Sequence, residues 1–326
     1  VGSKTRWGIL GTGRICGTFA EALAVLPDAE LVAVGSRSRS SAAAFAEKYK
    51  AARAHESYEA LARDADVQAV YIGTPHPLHC ANTLLLLEAG KAVLVEKPFA
   101  INERDARRMV ETARRTKRFL MEAMWTHFLP AVVRFFEMAK SGAIGDLRML
   151  HADFGFNAPF DPKGRLFDPA LGGGSLLDVG VYPVSLASRL FGEPARVHSS
   201  AVLGKTGVDE QAAMILEYEG GRQAVLSSAV RAETGHAAVL SGSAGRIRIE
   251  AQFWRGQRLS ISAGGKDETL DLPYEGNGYT HEAREVMRCV AGGLLESPGM
   301  SHEFSLGVMR TLDRLRAPWG LKYPGE

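Results

Sequence analysis

The 326-residue sequence predicts an α/β domain on a doubly wound parallel sheet, followed by an α+β domain with an open, mostly antiparallel sheet. Three observations predict it. Through residue 121 short apolar runs alternate with helical periods, as parallel strands joined by right-handed crossovers require. A glycine turn opens the first strand-to-helix junction. From residue 197 onward short strands follow one another across glycine-rich turns, which suits hairpins.

In the first half, residues 7–10, 31–35, 69–73, 92–95 and 119–121 are too continuously apolar for half-exposed strands and read as buried ones. Residues 15–26, 41–49, 58–63, 81–89 and 103–116 carry helical spacing; Pro27 stops the first and Gly90 the fourth. After about residue 125 the rhythm changes. A helix at 131–141 leads to a strand at 147–156, an irregular Gly- and Pro-rich stretch through Gly174, and a helix at 176–191. Strands are then expected at 197–203, 212–218, 223–230, 237–241, 246–250 and 259–262, with closing helices at 282–291 and 304–315. The alternation of Arg246-Ile247-Arg248-Ile249-Glu250 predicts a sheet face that is wet or covered by a partner. The domains divide as 1–124 and 125–326.

Composition narrows the function. With 39 basic against 37 acidic residues the chain carries no broad field for a polyanion, so nucleic acid is a poor partner. Apolar residues at 46% and charged ones at 23% are those of a folded globular chain. Cys16, Cys80 and Cys289 form no CxxC pair, which predicts neither a disulfide framework nor structural zinc and points to a cytoplasmic address. The longest apolar runs, such as 84–87, are too short to span a membrane, and residues 1–7 lack the apolar core of a signal peptide.

Gly11-Thr12-Gly13-Arg14-Ile15 lies between the first strand and its helix. There backbone can approach a pyrophosphate seated on the helix N-terminus, as in a Rossmann dinucleotide site. The third small position of that turn is Cys16. At the end of the second strand an NAD site places an acidic residue, but Ser36, Arg37, Ser38 and Arg39 stand here, and no Asp or Glu occurs between Glu30 and Glu47. A hydroxyl and guanidinium groups suit a 2′-phosphate, so NADP(H) is expected over NAD(H).

Glu96-Lys97-Pro98 follows the strand at 92–95, at the carboxyl edge where open α/β sheets bind ligands. Taken alone, Lys97 reads equally as a surface lysine before a turn. In the segment from Gly172 to Tyr182, Asp178 and Tyr182 are four apart on one helical face. That pair is equally compatible with a dipole-favoured acid and a core tyrosine. His76-Pro77-Leu78-His79-Cys80 offers too few ligands for zinc, and no metal site is expected.

Together the glycine turn, Thr74-Pro75-His76-Pro77-Leu78-His79, Glu96-Lys97-Pro98 and the Asp178/Tyr182 segment resemble the glucose-fructose oxidoreductase / inositol dehydrogenase (Gfo/Idh/MocA) family over essentially the whole chain. Tyr182, where the family most often has histidine, is similar to the branch of dimeric dihydrodiol dehydrogenases and NADP-dependent xylose dehydrogenases. So are the stretch from Met121 to Thr126 and that from Ala152 to Gly155. The resemblance implies cofactor contacts from Thr74, Pro75, His76, His79, Glu96, Lys97 and Trp125, and a cis Lys97-Pro98 bond. It also implies an apolar substrate wall of Trp125, Phe154 and Tyr279. His76 departs from the family, where asparagine is common.

The implied reaction is hydride transfer between nicotinamide and a hydroxyl-bearing carbon of a sugar, an aldose such as xylose, or, second, of a trans-dihydrodiol. Tyr182 would take the hydroxyl proton. A free phenol, with a pKa of about 10, is a poor base at neutral pH, so the Lys97 cation would stabilise its phenolate. Asp178 would hold the lysine or a second substrate hydroxyl. A homodimer through the open sheet face is expected, with no nucleic-acid or membrane partner. The alternative is a non-catalytic NADP-binding sensor of the same fold.

Overall fold

The computed structural model describes residues 4–326; Val1–Ser3, where the signal-peptide reading begins, lie outside the described residues. The chain forms two compact units. The first runs to Trp125 and regains Glu275–Ser305; the second comprises Thr126–Tyr274 and Leu306–Glu326. Residues 275–305, counted with the second domain in the sequence reading, thus cluster with the first unit.

In the first unit, β1 (Thr5–Leu10), β2 (Ala29–Gly35), β3 (Arg53–His55), β4 (Ala69–Ile72), β5 (Ala92–Glu96) and β6 (Leu120–Ala123) form a parallel sheet. Its order is β3-β2-β1-β4-β5-β6, which reverses direction between β1 and β4. That is the doubly wound topology, and its ligand crevice lies beyond the carboxyl ends of β1 and β4. Five crossover helices connect the strands: α1 (Arg14–Ala24), α2 (Arg39–Tyr49), α3 (Tyr58–Arg63), α4 (His79–Glu88) and α5 (Glu103–Thr116).

Local chemistry sets their ends. Asn102 caps α5 by accepting from the Asp105 amide, Glu103 and Asp105 occupy its first turn, and Arg114 and Arg115 its last. Strand β3 escaped the sequence reading because it has three residues and none of them is buried. From the regained segment α8 (Tyr279–Ala291) packs on α1, with Ala283 and Val286 fully buried.

The second unit holds an eight-stranded sheet. Its strands are β7 (Leu147–Gly155), β8 (Arg196–Leu203), β9 (Asp209–Glu217), β10 (Gln223–Ala229), β11 (Ala238–Gly242), β12 (Gly245–Ile249), β13 (Arg258–Ala263) and β14 (Lys266–Asp271). Their order is β14-β13-β12-β11-β7-β10-β9-β8. All neighbours are antiparallel except β7 and β10, which pair in parallel. Strand β14, unforeseen in the sequence, reads Lys-Asp-Glu-Thr-Leu-Asp and is almost wholly exposed, a charged edge that discourages further pairing.

Helices α6 (Pro130–Lys140) and α7 (Val181–Phe191) pack on this sheet. The other face is open. His198, Ile215, Val225, His151, Val239 and Arg248 stand in register across six strands, with Ile215 42% and Val225 36% exposed. The helix expected at 176–191 begins instead as a π-helical turn, Leu176–Gly180, before α7. The stretch Pro169–Phe191 is apolar and long enough to cross a membrane, and 89% of its apolar 18-residue core is buried within the protein, as in a core helix. Helix α9 (His302–Arg316) completes the elements.

Candidate active site

The first unit supplies the dinucleotide features. Gly11, following β1, donates its amide to the Gly35 carbonyl at 2.9 Å, which joins the ends of β1 and β2. Gly13 and Arg14 are exposed at the start of α1, while Thr12 and Ile15 are half-buried. That helix has no side-chain cap and no acidic residue in its first turn, so its amides remain available to an anion. Cys16, the anomalous third position, is fully buried. Its thiol packs under the Gly73 carbonyl at 3.5 Å, into space where a Cβ on Gly73 would collide with Sγ. The close approach of the helix is therefore provided by the glycine just after β4 instead of by a small residue on the helix. Burial pushes this thiol up to about 12, so it stays protonated.

At the end of β2, Ser36 is buried and its hydroxyl accepts from the Ser38 amide at 3.3 Å, while Ser38 caps α2. Arg37 and Arg39 are exposed, and the Arg37 guanidinium reaches the Tyr58 hydroxyl.

Glu96 and Lys97 lie at the end of β5. Glu96 is buried and accepts from the Tyr71 hydroxyl at 2.5 Å and the Lys97 amide at 3.1 Å. Glu122, which the sequence did not single out, accepts from the Phe99 amide at 3.1 Å and the Ser305 hydroxyl at 2.6 Å. Burial pushes Glu122 up to about 7. Two buried acids thus brace the Lys97-Pro98-Phe99 backbone, whose Lys97-Pro98 bond is cis.

His79 is fully buried, with Nδ1 2.9 Å from the Pro98 carbonyl and Nε2 2.9 Å from the Thr74 carbonyl. Burial pushes its imidazole down to about 4, so the ring is neutral and donates to one carbonyl only. It joins the loop of Thr74, Pro75 and His76 to the Lys97 turn. Thr74 is itself buried and accepts from the Asn82 amide at 3.0 Å, whereas Pro75 and His76 are half-buried. His76 and His79 meet edge to face at 5.7 Å, and no group of three or more metal-ligating side chains occurs among the described residues. Trp125 and Tyr279 stack at 4.4 Å in this same unit.

The second unit supplies Phe154, Asp178 and Tyr182, all buried. Asp178 lies in the π turn and Tyr182 in the first turn of α7, so the wider turn keeps the two within one turn of helix. Two features here escaped the sequence reading. Arg165, from the irregular loop, holds both Asp178 oxygens, Nη1 to Oδ1 at 2.7 Å and Nη2 to Oδ2 at 3.3 Å. Trp254 stacks on Phe154 with ring centroids 3.4 Å apart, and Phe154 lies 5.5 Å from Tyr182. His236, with φ +61°, closes this aromatic cluster, 4.9 Å from Trp254. Arg165 and His236 sit in loops and Trp254 in a three-residue 3-10 turn, all without periodicity; only the tryptophan's type marks its position as unusual.

Comparison with known proteins fits this division. Residues 5–124 match the model described as "Oxidoreductase family, NAD-binding Rossmann fold" of Gfo/Idh/MocA, and residues 132–248 match the Gfo/Idh/MocA C-terminal domain. The chain is 38% identical to a trans-1,2-dihydrobenzene-1,2-diol dehydrogenase of Xenopus tropicalis, covering 98% of this chain and 99% of that one. The Homo sapiens protein of the same name is 36% identical, with 98% of each chain covered. Among solved structures, an aldose-aldose oxidoreductase from Caulobacter crescentus complexed with glycerol superposes with TM-score 0.88 at 25% identity, covering 97% and 98% of the chains. A 3-ketoreductase from Actinomadura kijaniata in complex with NADP and TDP-benzene gives 0.86 at 27% identity, with the same coverage.

Proposed function

We infer, from a chain that belongs to the Gfo/Idh/MocA family of oxidoreductases and is a dehydrogenase with an NAD(P)-binding Rossmann domain, a preference for NADP(H) and a ring-borne diol as substrate. The uncapped start of α1 and the acid-free Ser36–Arg39 turn fit a dinucleotide bearing a 2′-phosphate. When bound, the nicotinamide accepts or supplies the hydride.

The chain's own residues manage the proton and the orientation. Tyr182, as the phenolate that the Lys97 ammonium stabilises, takes the proton of the reacting hydroxyl and becomes the neutral phenol. Asp178, held by Arg165, orients a neighbouring hydroxyl. The observation that carries the reading is the wall beside Tyr182 made by the stacked Phe154 and Trp254 rings. A flat wall of this kind favours a trans-dihydrodiol, in keeping with the curated relatives. The charged Asp178–Arg165 pair supports the second reading, an aldose such as xylose.

Turnover of a panel of trans-dihydrodiols and aldoses, followed by reduction of NADP+ and NAD+, tests this. Activity confined to NAD+, or to neither substrate class, would sink it. Silence alongside tight NADPH binding would mark a sensor instead. The three free cysteines, all buried, suit a reducing cytoplasm. The open sheet face, which exposes Ile215 and Val225, is proposed to pair with a second copy of the chain. Ile215→Arg is expected to turn a dimer into a monomer by light scattering, and a wild-type chain that is already monomeric refutes the pairing.

A further inference from the structure

Asp209 begins β9 and is fully buried, yet the proposed chemistry gives it no task. Its Oδ2 accepts from the Leu176 amide at 2.7 Å and the Ser175 hydroxyl at 2.8 Å, and that hydroxyl also lies 2.9 Å from Ser228 Oγ. Ser175 and Leu176 open the π turn that carries Asp178 and leads into Tyr182. The start of this helical run has no cap from its own segment, so a carboxylate 33 residues away in sequence satisfies it.

The approach is possible only because residue 174 is glycine. It has φ +116°, and a Cβ there would collide with Asp209 Oδ1, which has no hydrogen-bond partner of its own. A second tether holds the same turn. Tyr323 donates its hydroxyl to the Gly173 carbonyl at 2.7 Å and is itself buried. The Tyr323 segment is fixed in turn by Arg316, which bonds both Glu326 oxygens at 2.6 Å. Burial pushes the Asp209 carboxyl up to about 6 against the pull of the Ser175 hydroxyl and the Leu176 amide, so it is ionised at neutral pH.

We propose that Asp209 is a positioning residue for the active helix, holding Asp178 and Tyr182 in place through the Gly173-Gly174-Ser175 turn, with Tyr323 as its second tether. The inference rests on the proposed role of Tyr182. A misplacement of about 1 Å at a reacting group costs about a hundredfold in rate, which is the scale of effect the tethers prevent.

The test compares Asp209→Ala, Asp209→Asn and Tyr182→Phe in the full chain. Asp209→Ala is expected to lower kcat at least about tenfold, with KM for NADP+ unchanged. Amide exchange at Leu176 to Tyr182 is expected to quicken by a similar factor. Asp209→Asn keeps one acceptor oxygen, and is expected to recover kcat to within about threefold of wild type. A folded Asp209→Ala with kcat within about twofold of wild type, or with unchanged exchange in this segment, overturns the proposal. So does an Asp209→Asn no better than Asp209→Ala.

Should Asp209→Ala not fold, Tyr323→Phe carries the same two readouts. A fall in kcat of about threefold or more with faster exchange supports the proposal, and the absence of either overturns it. The Asp209 measurements are made on chains that retain Tyr182. A fully active Tyr182→Phe therefore removes the base assignment without deciding the fate of Asp209.

Discussion

Arg165 grips Asp178 through two Nη contacts, at 2.7 and 3.3 Å, although the carboxylate is 6% exposed and the guanidinium 55%. The acid that sequence reasoning assigned to Lys97 or to a substrate hydroxyl thus already has a cation from its own unit. The fork orients both oxygens of the carboxylate.

Arg165→Ala is therefore expected to lower kcat/KM for the diol about tenfold while leaving NADPH affinity unchanged, because it removes the two-pronged cation that orients a buried carboxylate. Arg165→Lys is expected to recover only part of the loss, since an ammonium cannot reproduce the two-pronged contact. Steady-state kinetics of both variants check this, and an unchanged kcat/KM in Arg165→Ala would refute the role.

Cofactor choice is read from the exposed Arg37 and the absence of any carboxylate in the turn after β2. Arg37→Ala is expected to cut kcat/KM with NADP+ by about ten- to a hundredfold and to change the NAD+ value little. A preference for NAD+ in the wild type that survives the substitution contradicts the assignment.

The proton-handling pair makes a sharper demand. Lys97→Met and Tyr182→Phe are each expected to lower kcat by about a hundredfold or more, with NADPH binding by fluorescence titration within about twofold of wild type. Near-normal turnover in both would exclude the mechanism.

Stability tests the unusual glycine turn. Gly73→Ala drives a Cβ into Cys16 Sγ and is expected to cost about 1–3 kcal/mol in urea unfolding. Adding Cys16→Ala is expected to recover most of that loss, as coupled neighbours do. Simple additivity of the two changes would show that the contact is not what limits residue 73.

Buried strands and periodic helices were legible because each carries its period in consecutive residues: β1, β4, β5 and α5 lie where the apolar runs and the helical spacing indicate. Strands β3 and β14 were not. One is a three-residue edge, and the other is a charged edge whose pairing comes from β13, so neither buries enough apolar surface to leave a pattern.

What the sequence determined by itself is the fold class, since buried strands alternating with helices permit few parallel arrangements, together with the expectation that the glycine turn, Lys97 and Tyr182 carry the site. Only the tertiary structure decided who holds them. Glu96 and Glu122 bracket the lysine turn, Arg165 holds Asp178, Trp254 stacks on Phe154, and Asp209 seats the helix start. The reason is physical. A strand or helix is specified by neighbours a few residues away, whereas a lone carboxylate or indole acquires its partner only when sheet register brings distant segments to the same place.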